Sequence, residues 1–283
     1  MKNNETHPGI EGVKPLYLLP LAFLSVSLMQ ADPLIVAHRG ASADAPENTL
    51  AAFQKAWNQG ADAIEGDFRL TKDGQIVTMH DASTKRTTGR KFVVAETDWA
   101  TLKDLEAGSW KEKKWAGEKI PLLSEVLAAM PKGKGIFIEV KCGPEIVPVL
   151  FETIASSKVA LEQVTVIAFD KEVIRAVKKR EPKVTANWLS GFKKGKKGAY
   201  APDLDSVIRI LKDVGADGLG VQAVGKLAED LGAELRKHDL GYHAWTIDSA
   251  EVGLQFVEAG VQSVTTNVPR KMRDYLAVKK ASR

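Results

Sequence analysis

Four short stretches carry the side chains that could do chemistry. His38 and Arg39 stand side by side in VAHRG (36–40), at the end of an apolar run. Glu65 and Asp67 are two apart in AIEGDF (63–68), His80 and Asp81 follow the run QIVTM (75–79), and Glu139 and Lys141 are two apart in IEVK (138–141). In a strand, residues i and i+2 point to the same face, so Glu65 and Asp67 share a direction, as do Glu139 and Lys141. Each group alone has a bland reading: a strand-end carboxylate is usually solvated or a cap, and a lone histidine is usually structural. Together they have a sharper one. Three carboxylates in one pocket repel one another and rise in pKa unless a cation sits among them. All-oxygen ligation selects a hard divalent cation, Mg²⁺ or Ca²⁺, over zinc. Arg39 and Lys141 add fixed positive charge suited to a phosphate group. Two histidines on separate segments can serve as general base and general acid. The combination describes phosphoryl transfer or phosphodiester cleavage.

These residues converge only if the fold brings their segments to one place. From residue 34, short apolar runs alternate with helical patterns: runs near 35, 64, 138, 166, 186, 219, 244 and 264, most pairs separated by one helix's length of chain. Such alternation implies a parallel sheet. Gln75–Met79 breaks the pattern, following Phe68–Leu70 after only TKDG (71–74). Four residues are too few for a parallel crossover, and Asp73-Gly74 suits a hairpin turn. Setting this hairpin aside leaves eight strand-helix units, which indicates an α/β fold of the (β/α)8 TIM barrel type with an insertion after the second strand, residues 68–118. An open doubly wound sheet is the runner-up. Long insertions are usually functional, and this one falls at the carboxyl end of the strands, where barrel active sites lie. Strand and hairpin ends then aim three carboxylates, two histidines, an arginine and a lysine at one mouth. Trp188 and Trp245, also at strand ends, could line it, with core packing the alternative for Trp188. His243 reads as structural, and Cys142 as without a role.

The stretch 36–88 resembles the signature of the glycerophosphodiester phosphodiesterase family, in AHRG (37–40), PENT (46–49), GAD-AIEGDF (60–68), TKDG (71–74), HD (80–81) and RTT (86–88). IEVK (138–141), PLLSEVL (121–127) and WT (245–246) match later pieces, so the resemblance runs from about 34 to 270. It implies a divalent cation, Ca²⁺ or Mg²⁺, held by Glu65, Asp67 and Glu139. It implies His38 and His80 as the acid-base pair, Arg39 and Lys141 on the phosphate, and Glu47 orienting the arginine or the glycerol end. It implies hydrolysis of glycerophosphodiesters to glycerol 3-phosphate and an alcohol, the partner being a small molecule. A phospholipase C/D-like enzyme acting on lysophospholipids or phosphoinositides is the alternative, with the aromatic stretch 92–118 as a membrane-contacting flap. Gly66, Ala168 and Asn267 depart from residues common in the family. Gly66 suggests a loosened strand, Ala168 a lost polar contact, and Asn267 stands where aspartate is common.

Composition narrows the rest. Of 283 residues, 44% are hydrophobic and 27% charged, with a net charge of +4, which is globular and gives no signal for nucleic acid. A single cysteine excludes an intrachain disulfide and a thiolate metal cluster. The uncharged run LYLLPLAFLSVSLM (16–29) is short for a membrane span and suits a signal peptide over residues 1–31, hence export to a periplasmic or extracellular location. The barrel would then occupy 32–283. Lys193-Lys-Gly-Lys-Lys197 reads as a solvated loop or a transient contact with anionic headgroups.

Overall fold

In the computed structural model, residues 1–2, 32–195, 200–222 and 227–282 are described. The segment read as a signal peptide lies outside the described residues apart from its first two, and Lys196 and Lys197 of the basic run do as well. No helix among the described residues is long and apolar enough to cross a membrane.

The eight apolar runs are the eight parallel strands of a closed barrel: β1 (Leu34–Ala37), β2 (Ala63–Leu70), β3 (Gly135–Val140), β4 (Val164–Ala168), β5 (Thr185–Ser190), β6 (Gly218–Gln222), β7 (Gly241–Trp245) and β8 (Ser263–Thr266). Closure comes from β1, which pairs with β8 from Leu34↔Ser263 to Ala37↔Thr266 and with β2 at Val36↔Ala63. The intervening helices are α1 (Leu50–Asn58), α2 (Leu123–Ala129), α3 (Val147–Ala155), α4 (Lys171–Arg180), α5 (Leu204–Val214), α6 (Leu227–Lys237) and α7 (Ala250–Glu258), with α8 (Pro269–Ala281) following β8.

Strand alternation divides the apolar residues into two cores. Outward residues such as Ile35, Ile64, Ile136, Ile138 and Val166 join Phe53, Leu150 and Ile174 of the helices in the main core. Inward residues Val36, Ala63, Phe137, Ile167 and Leu189 form a separate cluster, with Trp245 against it. Gly66 faces the outer layer, and a Cβ there would meet the Phe53 and Phe68 rings at 3.1–3.3 Å. The two aromatic rings are fully buried, so the space a side chain would fill is packed rather than loosened.

The hairpin extends β2 beyond the barrel rim. Ile76–Thr78 runs antiparallel to it, with Phe68↔Thr78 and Leu70↔Ile76 in register, on the edge that β1 leaves free. Beyond the hairpin the insertion builds its own small core from Val77, Met79, Val94, Leu102, Leu105, Ala107 and Ile120, against which Phe92, Trp99 and Leu122 pack. That core reaches past residue 118, because the chain must return through Ile120 and Leu122 to close it before α2. Lys111 ties the insertion to the barrel by donating from Nζ to the Ser42 carbonyl at 2.5 Å.

Candidate active site

The site forms where β1, β2 and β3 end. Asp67 and Glu139 are paired in register on adjacent strands, and Glu65 precedes Asp67 on the same inward face. One oxygen from each of the three lies within 4.8 Å of the others, and all three residues are buried. Among the described residues, Glu65 Oε1 and Asp67 Oδ1 are buried with no hydrogen-bond donor. Burial, together with Asp67 and Glu139, pushes Glu65 well above the usual carboxylate range, and burial and Asp67 raise Glu139. Two orphaned oxygens in an all-carboxylate cluster fit a hard divalent cation in donor type and in charge.

The cations predicted at the site border this cluster. Lys141 Nζ lies 2.7 Å from Glu139 Oε1 and 3.6 Å from Asp67 Oδ1. Arg39 Nε lies 3.0 Å from Asp67 Oδ2, and its Nη1 donates to Glu47 Oε1 at 3.0 Å. The chain turns sharply after β1 with Arg39 at φ 54°, and in that turn the Arg39 amide donates to Glu65 Oε2 at 2.8 Å.

Asn48 acts on a residue the sequence did not suggest. It precedes Thr49, the N-cap of α1, whose side chain accepts from the Ala52 amide. Asn48, at φ 61°, grips Asp67: its Nδ2 donates to Asp67 Oδ2 at 2.8 Å and its Oδ1 accepts from the Asp67 amide at 3.1 Å. Its backbone amide donates to the Arg39 carbonyl at 3.0 Å.

Both histidines reach the site with Nδ1 committed. His80 arrives on the hairpin, where the Met79 amide donates to the Asp67 carbonyl, and its Nδ1 is 2.7 Å from Asp81 Oδ1. His38 follows β1, and its Nδ1 is 2.8 Å from Asn267 Oδ1, 229 residues away in sequence. Burial, then the neighbouring Arg39 guanidinium, lowers the His38 pKa below the ordinary histidine value.

Arg86, in the RTT stretch, links the two halves. It donates to both Glu47 oxygens at 2.8 Å and to Asp81 Oδ2 at 2.8 Å. Its hydrogen bonds draw Asp81 down to about 2, and against the cost of burial Arg86 and Arg39 hold Glu47 below the usual range. Arg86 therefore braces both the residue behind Arg39 and the residue behind His80.

Aromatic residues flank the mouth on the β4–β7 side. Trp245 packs edge-on against Phe169, centroids 5.3 Å apart, and Lys141 Nζ lies 5.7 Å from the Phe169 ring. Phe169 is exposed, whereas Trp188 faces the outer core and donates from its indole to the Phe169 carbonyl at 2.9 Å. Of the two indoles expected at the mouth, only Trp245 is on that side. Phe169 was missed because one exposed aromatic after a strand carries no periodic signal. His243 is inside the barrel, 2.8 Å from Ser263 Oγ and edge-on to Phe137, with burial pushing it down to about 4.

Comparison with known proteins agrees with this architecture. The model of the glycerophosphoryl diester phosphodiesterase family matches residues 38–271. A glycerophosphodiester phosphodiesterase of Caldanaerobacter subterraneus is 31% identical over 245 residues, covering 84% of this chain and 96% of that protein. One from Bacillus subtilis is 30% identical over 253 residues, covering 83% and 84%. Among solved structures, an Oleispira antarctica phosphodiesterase in complex with the product sn-glycerol-3-phosphate superposes with a TM-score of 0.78 at 26% identity, covering 87% of this chain and 97% of that one. A glycerophosphodiester phosphodiesterase from Agrobacterium tumefaciens shares the fold at a TM-score of 0.70 and 23% identity, covering 85% and 99%.

Proposed function

The chain belongs to the glycerophosphoryl diester phosphodiesterase family, and on that premise we propose that it hydrolyses glycerophosphodiesters to glycerol 3-phosphate and an alcohol. The observation that carries this reading is the convergence at one barrel mouth of the Glu65–Asp67–Glu139 cluster with His38, His80, Arg39 and Lys141. A divalent cation, Ca²⁺ or Mg²⁺, held by Glu65, Asp67 and Glu139 would neutralise charge on a non-bridging phosphate oxygen. Arg39 and Lys141 supply positive charge to the remaining phosphate oxygens. One histidine takes the proton of the attacking hydroxyl, either that of water or that of the substrate's glycerol end with water then opening the cyclic phosphate, as its oxygen bonds to phosphorus. The bond from phosphorus to the leaving alcohol oxygen breaks, and the other histidine gives that oxygen a proton. Glu47 holds the Arg39 guanidinium, and Phe169 with Trp245 offers an apolar wall to one end of the substrate.

Incubation of the full chain with glycerophosphocholine and a divalent cation is expected to release glycerol 3-phosphate and choline in equal amounts. Turnover of lysophosphatidylcholine micelles with none of glycerophosphocholine would overturn this reading and assign the phospholipase alternative.

Arg86 should matter without touching the phosphate. Arg86→Ala is expected to lower kcat/KM by roughly 10–100-fold, the usual scale for losing a residue that orients site side chains. Arg86→Lys recovers only part of it, because an ammonium cannot bridge two carboxylates with a planar fork. Steady-state kinetics of the two variants check this, and wild-type values for Arg86→Ala would refute it.

A further inference from the structure

We infer that Asp248 and Asn267 together fix His38 as the Nδ1–H tautomer, leaving Nε2 as the lone pair that accepts the nucleophile's proton. The inference rests on the proposed phosphodiesterase reading, and what it adds is the pair of residues that hold the His38 ring.

An amide side chain offers a carbonyl oxygen on one side and an NH₂ group on the other, so its orientation follows from its neighbours. Asn267 is held at three points. Its Nδ2 donates to Asp248 Oδ2 at 2.7 Å, and its backbone amide donates to Asp248 Oδ1 at 2.8 Å. Its Oδ1 accepts from Ser42 Oγ at 2.6 Å. Turning the amide over would set its oxygen against the Asp248 carboxylate, two acceptors with no proton between them. Asp248 is itself anchored, since Thr266 Oγ1 donates to its Oδ1 at 3.1 Å. The group that faces His38 Nδ1 is therefore a carbonyl oxygen, already 2.8 Å away. An acceptor there requires that Nδ1 carry the proton, and in a neutral imidazole Nε2 is then the acceptor.

The partner's type matters as much as its orientation. Asn267 is a neutral acceptor, whereas His80 is paired with the carboxylate of Asp81. His38 also adjoins the Arg39 guanidinium, and burial and that charge together favour its uncharged form. A neutral ring with a free Nε2 can take a proton and cannot give one, so His38 begins the reaction as base. His80 is left to protonate the leaving oxygen. Asn267 and Asp248 touch no reacting atom; they are positioning residues.

The test reads the tautomer directly. Long-range ¹H–¹⁵N correlation spectra of the ¹⁵N-histidine-labelled full chain are recorded without substrate, and the His38 signals are assigned by their loss in His38→Gln. A neutral ring protonated at Nδ1 is expected. A ring protonated at Nε2 alone, or doubly protonated at assay pH, overturns the inference. Asn267→Leu, close in size but without an acceptor, is expected to give mixed tautomers and to lower kcat by about 10–100-fold, with a smaller change in KM. Unchanged tautomer and kcat in that variant also overturn it. Should Asn267→Leu not fold, the wild-type spectrum decides alone. Because the spectrum needs no turnover, it can fail while the phosphodiesterase reading stands, and the activity assay can fail while the tautomer is as inferred.

Discussion

Replacing His38 or His80 with alanine is expected to lower kcat for a glycerophosphodiester by about 10²–10⁴ each, the contribution typical of a positioned general acid or base. The two rings lie on different elements, one after β1 and one after the hairpin, and each is held at Nδ1 by a separate partner. Neither can replace the other, because a ring that begins as base has no proton to give to the leaving oxygen. The losses should not add: once one proton transfer is lost, the second histidine has little left to assist, so the double variant should resemble the worse single variant. Thermal unfolding of the variants separates chemistry from folding, which matters most for the more buried His38. Wild-type turnover in both single variants would remove acid-base catalysis by this pair.

Chelation is expected to abolish activity, and Ca²⁺ or Mg²⁺ to restore it, with a matching gain in thermal stability. The physical origin is the repulsion among Glu65, Asp67 and Glu139, which Arg39 and Lys141 offset only in part. A cation at hundredfold excess over its Kd stabilises the folded state by roughly 2.7 kcal/mol. That corresponds to a rise in Tm of about 2–4 °C per kcal/mol for a chain of this size. The sign of the pH dependence follows from the raised carboxylates. Below the ordinary carboxylate range they are protonated in both states and cost nothing. As pH rises above that range the unfolded chain ionises first, binding fewer protons than the folded one, and the chelated protein loses stability until the folded-state groups ionise too. The gain from added cation should therefore be larger at about pH 8 than at about pH 5, where protons compete for the ligands. Glu65→Gln removes one charge and should reduce both the cation-dependent gain and the loss of stability on chelation. Calorimetry with and without cation measures all of this. A chelated enzyme with full activity and unaltered Tm would rule out the cation.

Three features of the site were legible because they are local. The i, i+2 spacing of Glu65 with Asp67 and of Glu139 with Lys141 becomes a shared direction on any strand. The short TKDG link forced a hairpin and so fixed where His80 returns. The eight apolar runs were long and regular enough to be read as strands, and their alternation with helices left few topologies. The less legible features are side-chain partnerships. Asn48 stands just before the N-cap Thr49, and nothing in PENT (46–49) points from it to Asp67, because that grip depends on α1 entering beside β2. Trp245 ends β7 whereas Trp188 lies within β5, and strand alternation and local packing send Trp188 outward and Trp245 to the mouth.

By itself the sequence determined which groups share a strand face, how many strand-helix units the chain makes, and that three carboxylates must meet either a cation or a steep electrostatic cost. These follow from chain geometry and charge, which act over a few residues or do not depend on path. Only the tertiary structure decided the protonation geometry of the site. His38 Nδ1 meets Asn267 Oδ1, and Asn267 takes its orientation from Asp248, through contacts between the end of β1 and the segments after β7 and β8. Hydrogen bonds are short and directional, so no spacing along the chain reveals them until barrel closure brings residues 229 positions apart to 2.8 Å.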